Sequence, residues 1–270
     1  MKTIIAVISD THIGSYTALC PPTYEVRTGR REETTVCQHS RLQAWVWGNW
    51  TDYWQYVSSL LEYKRNRKTN RLIVIHAGDV IDGRHHNSPQ SIPDIDDQIR
   101  VALDVLLPIR DMADRFYGVY GTDAHAGLAG EYESRIYREL EADEYGPRLD
   151  LDIDGQLVEV LHHGNAARRD WSSNAANQAA KVMLDAASAG ERAPDLLLCG
   201  HGHTIDDSGV KLPTIRCIDL PAWQLKTSFA WKVGASHRSD IGGLIINGGV
   251  LDFTKLRYQA APDGRKVIHV

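Results

Sequence analysis

Asp10 and His12 stand two residues apart, just past the apolar run Thr3 to Ser9. In an extended segment, residues i and i+2 project to the same side, so this carboxylate and this imidazole can hold one cation between them. Alone the pair is a weak signal, because Asp-x-His arises often by chance. The placement recurs, however. His76-Ala77-Gly78-Asp79-Val80-Ile81-Asp82-Gly83 follows the run Leu72 to Ala77, and Gly78 lets the backbone turn so that Asp79 enters the same crevice. Asp79 is the natural bridging carboxylate, the competing reading being a plain helix cap. Asp82 either orients a ligand from behind or forms an ordinary turn.

Leu161-His162-His163-Gly164 and Leu198-Cys199-Gly200-His201-Gly202-His203-Thr204 each close another apolar strand. Imidazoles at several strand ends are hard to explain as satisfied core histidines. In Gly-His-Gly-His the glycines free the backbone while two imidazoles diverge toward two neighbouring ions, which makes it the most specific motif of the chain. Val119-Tyr120-Gly121-Thr122-Asp123-Ala124-His125-Ala126-Gly127 adds a hydroxyl, a carboxylate and an imidazole to the same edge. A Gly-rich turn into a helix competes for Thr122 and Asp123, whereas His125 reads as functional.

Short β-branched runs position these groups: Thr3 to Ser9, Leu72 to Ala77, Phe116 to Tyr120, Val158 to Leu161 and Leu196 to Cys199. Helical patterns lie between them, over Arg41 to Arg67, Ile95 to Ala113, Glu131 to Glu141 and Asn174 to Ala189, the last after Ser172 and Ser173 as caps. Strand and helix in alternation give an α/β protein whose ligands gather at the carboxyl edge of a sheet. Thr214 to Leu220, Gly242 to Ile246 and Val250 to Tyr258 read as strands, with a hairpin turn at Asn247-Gly248-Gly249, and are expected in a second, partly antiparallel sheet packed on the first. Ser15 to Asn49 fits neither pattern and reads as an inserted lid or contact segment in a single domain of 1–270.

The 270 residues are 43% hydrophobic and carry 30 Lys and Arg against 35 Asp and Glu, a net charge of −5. That balance excludes a sequence-independent grip on a polyanion through a basic surface, though not a local basic pocket. The four Cys are widely spaced without a Cys-x-x-Cys pair, the start lacks a basic leader and cleavage site, and no apolar run approaches the ~18–20 residues of a membrane span. A cytoplasmic protein with no membrane partner is expected.

In order, Asp10-x-His12, Gly78-Asp79, a Gly-x-His-like element, His163 and Gly200-His201-x-His203 resemble the calcineurin-like metallophosphoesterase superfamily. Gly-Thr-x-x-His, His-His-Gly and Pro221-Ala222-Trp223-Gln224-Leu225-Lys226-Thr227 look like its phage and prophage-associated branch. The resemblance implies a four-layer α/β/β/α sandwich with two packed mixed sheets and two divalent transition-metal ions (Mn, Fe, Zn, Ni or Co). One ion would be held by Asp10, His12, Asp79 and His203, the second by Asp79, His163 and His201. Where the family carries an Asn for the second ion, this chain has Thr122; its hydroxyl or a water is the first choice of replacement, with Asp123 or an inward-turned His125 as alternatives. His125 is then free as general acid, Asp79 bridges, and Asp82 and His162 support the ligands.

Hydroxide held between two cations would attack a phosphodiester or phosphomonoester, nucleotides and nucleic-acid ends among the candidates. Arg168 and Arg169 could clamp phosphate oxygens or form a solvated loop pair. Trp45, Trp47, Trp50, Tyr53, Trp54 and Trp223 either stack a base or pack the insertion and subunit contacts of a homo-oligomer, packing being the commoner fate. His39, His85 and His86 read as loop histidines, and the spacing of Cys20, Cys37 and His39 fits no standard zinc site. The alternative function is a phosphate or nucleic-acid binding protein that keeps the metals and has weakened catalysis.

Overall fold

The computed structural model describes residues 2–28, 33–61, 63–64, 67–85, 89–163, 174–209, 214–232, 239–248 and 250–253. In chain order the elements are β1 (Thr3–Ile8), β2 (Thr23–Thr28), β3 (Glu33–Gln38), α1 (Arg41–Leu60), β4 (Tyr63–Lys64), β5 (Arg67–Lys68), β6 (Arg71–His76), α2 (Ile95–Met112), β7 (Arg115–Val119) and α3 (Asp123–Ala126). A 3-10 turn at Leu128–Gly130 leads into α4 (Glu131–Glu139), β8 (Glu144–Gly146), β9 (Arg148–Ile153), β10 (Gln156–Leu161), α5 (Asn174–Ala189) and β11 (Leu196–Cys199). Then come β12 (Asp206–Asp207), β13 (Arg216–Asp219), α6 (Ser228–Lys232), β14 (Leu244–Asn247) and β15 (Val250–Phe253).

Two mixed sheets form the centre, in the orders β15-β14-β1-β6-β7-β8 and β12-β13-β11-β10-β9. β1, β6 and β7 run parallel and are nearly continuous apolar sequence, as strands covered on both faces must be. Their facing residues Val7, Ile75 and Val119 meet Val160, Leu198 and Ile218 of the second sheet in one buried cluster. The outer face of the first sheet is covered by α1, α2 and α4 through Trp50, Val105 and Tyr137. The outer face of the second is covered by α5 through Ala175 and Ala179. The result is an α/β/β/α sandwich.

Register explains why the motifs meet. Ile8 pairs with His76 and His76 with Gly118, so β1, β6 and β7 end level. In the second sheet Leu161 pairs with Cys199 and Cys199 with Asp219. The loops after β1, β6, β7, β10 and β11 therefore leave at one edge.

Two expectations need correction. Helix α1 ends at Leu60 instead of continuing to Arg67, and β4 and β5 form a short antiparallel pair there. Lys64-Arg65-Asn66-Arg67-Lys68 has four like charges and no apolar residue to hold a helix to the core. The β14–β15 hairpin belongs to the first sheet, antiparallel to β1, because Ile245 has core neighbours on that sheet's helix face. Residues 15–49 contain the β2–β3 hairpin and the start of α1, which is capped by a reciprocal Ser40–Gln43 box. Arg27 on β2 ties that hairpin to Asp94 and Asp97 at the start of α2. The caps expected at Ser172 and Ser173 lie outside the described residues.

Candidate metal centre

Asp10 is fully buried, and one of its oxygens is spoken for: Oδ2 accepts from the Ser9 hydroxyl at 2.5 Å and from the His201 amide at 3.0 Å. Oδ1 has no hydrogen-bond partner. It faces His203 Nε2 at 3.1 Å and His12 Nε2 at 3.6 Å, and these two nitrogens are 3.3 Å apart. Asp79 Oδ2 lies 3.8 Å from His12 Nε2. Donors bound to one first-row ion at about 2.0–2.2 Å are separated by roughly 3.0–3.6 Å, so the spacing of Asp10, His12 and His203 suits a cation, with Asp79 beside them.

Asp79 divides its oxygens in the same way. Oδ1 accepts from the Thr122 amide at 2.7 Å, while Oδ2 looks into the crevice. Around Oδ2 stand His162 Nε2 at 3.1 Å and Thr122 Oγ1 at 3.3 Å; the Thr122 hydroxyl is itself 3.4 Å from His162 Nε2 and 3.4 Å from His201 Nδ1. Asp79 Oδ2 thus lies near His12 on one side and near His162 and Thr122 on the other. His162 Nδ1 donates to the Ala77 carbonyl at 2.7 Å, which orients the ring with Nε2 toward Asp79.

His163 is exposed and stands within 4.8 Å, donor to donor, of His162 and His201. The histidine directly against Asp79 is thus His162, buried at 1% exposure, one residue before the one expected there. His162 immediately follows β10 and turns back under the loop of Gly78, whereas His163 is directed to solvent.

Charge balance points the same way. Burial opposes ionisation of Asp10, but His203 and His12 outweigh it and hold the carboxyl well below the usual range. Burial likewise opposes ionisation of Asp79, and His162 outweighs it. Burial lowers His162, yet the Asp79 carboxylate raises it to about 10. Two buried carboxylates here demand a positive charge.

The backbone is strained to make this geometry. Among the described residues eight non-glycine residues have positive φ, and five of them are Asp10 (53°), His12 (41°), Asp79 (55°), His201 (67°) and His203 (54°). Such strain collects at functional sites. Gly121 permits the closest approach: a Cβ there would sit 2.0 Å from Asp79 Oδ1.

Glu133 carried no sequence signal and is central. Its carboxylate, on α4 and completely buried, accepts from the Val80 amide at 2.7 Å with Oε1 and from the Gly121 amide at 2.5 Å with Oε2. These amides adjoin Asp79 and Thr122, so one side chain ties the two loops of the second donor set together. Burial raises Glu133 to about 7, with the Asp79 charge adding to it. Nothing in the spacing of a helix that also presents Glu131 and Glu139 distinguishes this Glu.

Behind the donors, Asp82 is buried with Oδ1 3.7 Å from His12 Nδ1 and 3.5 Å from His85 Nε2. His125 Nδ1 donates to the Asp82 carbonyl at 2.6 Å, and its ring packs edge-on against His12 and His85. Burial, then His12, lowers His125 to about 4. His85 therefore belongs to this cluster and is no isolated loop residue. Asp123 is exposed in the first turn of α3 and joins none of the donor groups among the described residues. Nor do Cys20, Cys37 and His39. Arg168, Arg169 and His86 lie outside the described residues.

Trp45 and Trp47 are half-buried and pack against the core from α1. Trp50, Tyr53, Trp54 and Trp223 are all buried, with Trp223 packed edge-on against Trp50 and Tyr53. None presents a face for a base to stack on.

No protein-family model and no curated protein matches the chain. Solved structures do. A hypothetical protein of Pyrococcus horikoshii aligns over 95% of this chain and 89% of its own, at 8% identity and a TM-score of 0.50. What they share is the fold. An archaeal phosphodiesterase aligns over 94% of this chain and 99% of its own (11% identity, TM-score 0.42), and a predicted phosphoesterase of Streptococcus pneumoniae over 96% and 94% (12%, 0.40). Among the described residues no helix is long and apolar enough to cross a membrane.

Proposed function

We propose that this chain is a dinuclear metal-dependent phosphoesterase of the calcineurin-like superfamily, and that 1–270 act as one domain in which 15–49 are an insertion. Its motif at 221–227, with Gly-Thr-x-x-His and His-His-Gly, supports the phage-associated branch. The observation that carries the reading is the gathering of His12, His162 and Thr122 around Asp79 Oδ2, beside a buried Asp10 whose Oδ1 has no hydrogen-bond partner. The first position is assigned to Asp10, His12, Asp79 and His203, the second to Asp79, Thr122, His162 and His201, with His163 as a further imidazole beside it. Two divalent ions bound there supply Lewis-acid activation of water and of the phosphoryl group.

The chain's own residues then divide the work. Asp79 would offer Oδ2 to the ions, while the Thr122 amide holds its other oxygen, Oδ1, and Glu133 holds the adjoining Val80 and Gly121 amides. His125 keeps Nδ1–H on the Asp82 carbonyl, so Nε2 is the atom that exchanges a proton with the leaving oxygen. A bound phosphate dianion favours the protonated imidazole and so offsets the burial that lowers it.

The test is removal and return of metal. Metal-depleted protein given Mn, Fe, Zn, Ni or Co in turn should bind two ions per chain and hydrolyse nitrophenyl phosphate or its bis ester. Asp79→Asn should keep the fold by circular dichroism, lose bound metal, and fall by at least about 1,000-fold in activity, since a shared ion ligand serves several kcal/mol of transition-state stabilisation. Undiminished activity in Asp79→Asn sinks the assignment; full metal binding without turnover on either ester favours a binding protein instead.

A further inference from the structure

Beside the two imidazoles of the Gly-His-Gly-His loop lies a cavity of about 200 Å³, walled by His201, His203, Leu225, Lys226, Thr227 and Ser239 among others, with Ala230 at its side. His203 is a donor of the first set and His201 of the second, so a group in this cavity adjoins both positions at once. Its inner wall is rigid. The Trp223 amide donates to the Asp10 carbonyl at 3.0 Å, the Leu225 amide to the Thr17 carbonyl at 2.8 Å, and the Asp240 amide to the His203 carbonyl at 2.8 Å. Trp223, wholly buried in the aromatic cluster, wedges the wall from behind. The inner wall is therefore held by the fold, which lowers the cost of ordering it on binding.

Size and lining restrict what fits. Pockets for drug-sized ligands run from roughly 300 to 1,000 Å³, so this one takes a smaller group, about the size of one sugar. Beside the two imidazoles, the described walls offer the Lys226 ammonium, the Gln224 amide and the hydroxyls of Thr227 and Ser239 against the small apolar surfaces of Leu225 and Ala230. Such a lining of donors and acceptors around a small volume suits an alcohol with several hydroxyls.

We infer that this cavity is the site for the alcohol half of the substrate, and that the substrate is a phosphate monoester of a polyhydroxylated alcohol of monosaccharide size. The inference rests on the phosphoesterase reading above. Lys226 and the hydroxyls of Thr227 and Ser239 hold the sugar-like portion, and Ala230 limits its bulk.

Calorimetric titration of metal-loaded full-length protein tests it, with inorganic phosphate, ribose 5-phosphate and a 5′-phosphorylated single-stranded oligonucleotide as probes. Ribose 5-phosphate should bind at least 10-fold more tightly than inorganic phosphate. Ala230→Trp, which fills the cavity, should erase that gain while inorganic phosphate binds as before. Ser239→Ala and Lys226→Met remove polar groups without adding volume, and each should reduce the gain several-fold even if Ala230→Trp fails to fold. A gain that survives all three substitutions overturns the inference, as does an oligonucleotide that binds more tightly than the sugar phosphate and ignores them. If nitrophenyl phosphate is hydrolysed with metal and ribose 5-phosphate gains nothing, the cavity assignment fails alone. If neither phosphate binds in a metal-dependent manner, the phosphoesterase reading falls with it.

Discussion

Glu133→Gln is the substitution that most directly probes how the second donor set is built. The wild-type carboxylate accepts two amide hydrogens at full burial, from Val80 and Gly121. Gln keeps one carbonyl oxygen and turns an NH2 group toward the other amide, so one buried hydrogen bond to a charged acceptor is lost and one N–H is left unpaired. Bonds to charged groups contribute about 1.5–3 kcal/mol, and an orphaned buried donor costs about 1–3 kcal/mol. These describe the same broken contact and are not summed; about 2 kcal/mol is expected. Against a total stability of about 5–15 kcal/mol the loss is readily seen in the midpoint of denaturant unfolding of metal-free protein. The released amide belongs to the loop that carries Thr122 and braces Asp79 Oδ1. Ion affinity at the second position should therefore fall by roughly 10-fold or more, with the first position less affected. Elemental analysis across a metal titration reads both. Unchanged midpoint and unchanged stoichiometry in Glu133→Gln would refute the clamp.

Other expectations concern parts of the molecule away from the ions. Trp223→Ala should cost about 3–5 kcal/mol, since the side chain is wholly buried between Trp50 and Tyr53; a cost under 1 kcal/mol in denaturant unfolding would contradict its role as a wedge. Asp219, raised to about 7 by burial and then by Asp206, is kept protonated by the fold over a range where the unfolded chain is ionised. Its contribution to stability is present below its ordinary value near 3.8 and is lost as pH rises through about 7. Asp219→Asn should accordingly gain more at pH 8 than at pH 5, by about 1–3 kcal/mol; an equal change at the two pH values would rule this out.

Most of the fold was legible because strands buried on both faces leave long apolar runs, as in β1, β6 and β11. The residues gathered at the sheet edge were legible because each follows such a run closely: the placement of Asp10, Asp79, His201 and His203 needed no tertiary information beyond the rule that parallel strands end level. What escaped the sequence was set by contacts across the chain. The choice between His162 and His163 turns on a single bond to the Ala77 carbonyl, which adjacency cannot reveal. Glu133 looks like any helical Glu until α4 is laid across the loops after β6 and β7. The C-terminal hairpin alternates as either sheet would require, and only the free edge of β1 decides where it pairs.

Five donor residues in the left-handed region cost roughly 1–2 kcal/mol each, a sum comparable with the stability of an ordinary domain. The chain sustains it because each strained residue is bonded in more than one direction. The Asp10 amide donates to Gly78 and its carbonyl accepts from Trp223; the His12 amide donates to Asp79; the His201 amide donates to Asp10. A substitution that relaxes one of these residues frees a neighbour from the same network, so their effects on metal affinity should be strongly non-additive. The strain also accompanies the gathering of these side chains at one sheet edge. Left-handed turns at the strand ends bring the imidazoles and carboxylates back over the sheet edge, and the free energy stored there is energy the site does not spend on reorganisation when ions bind.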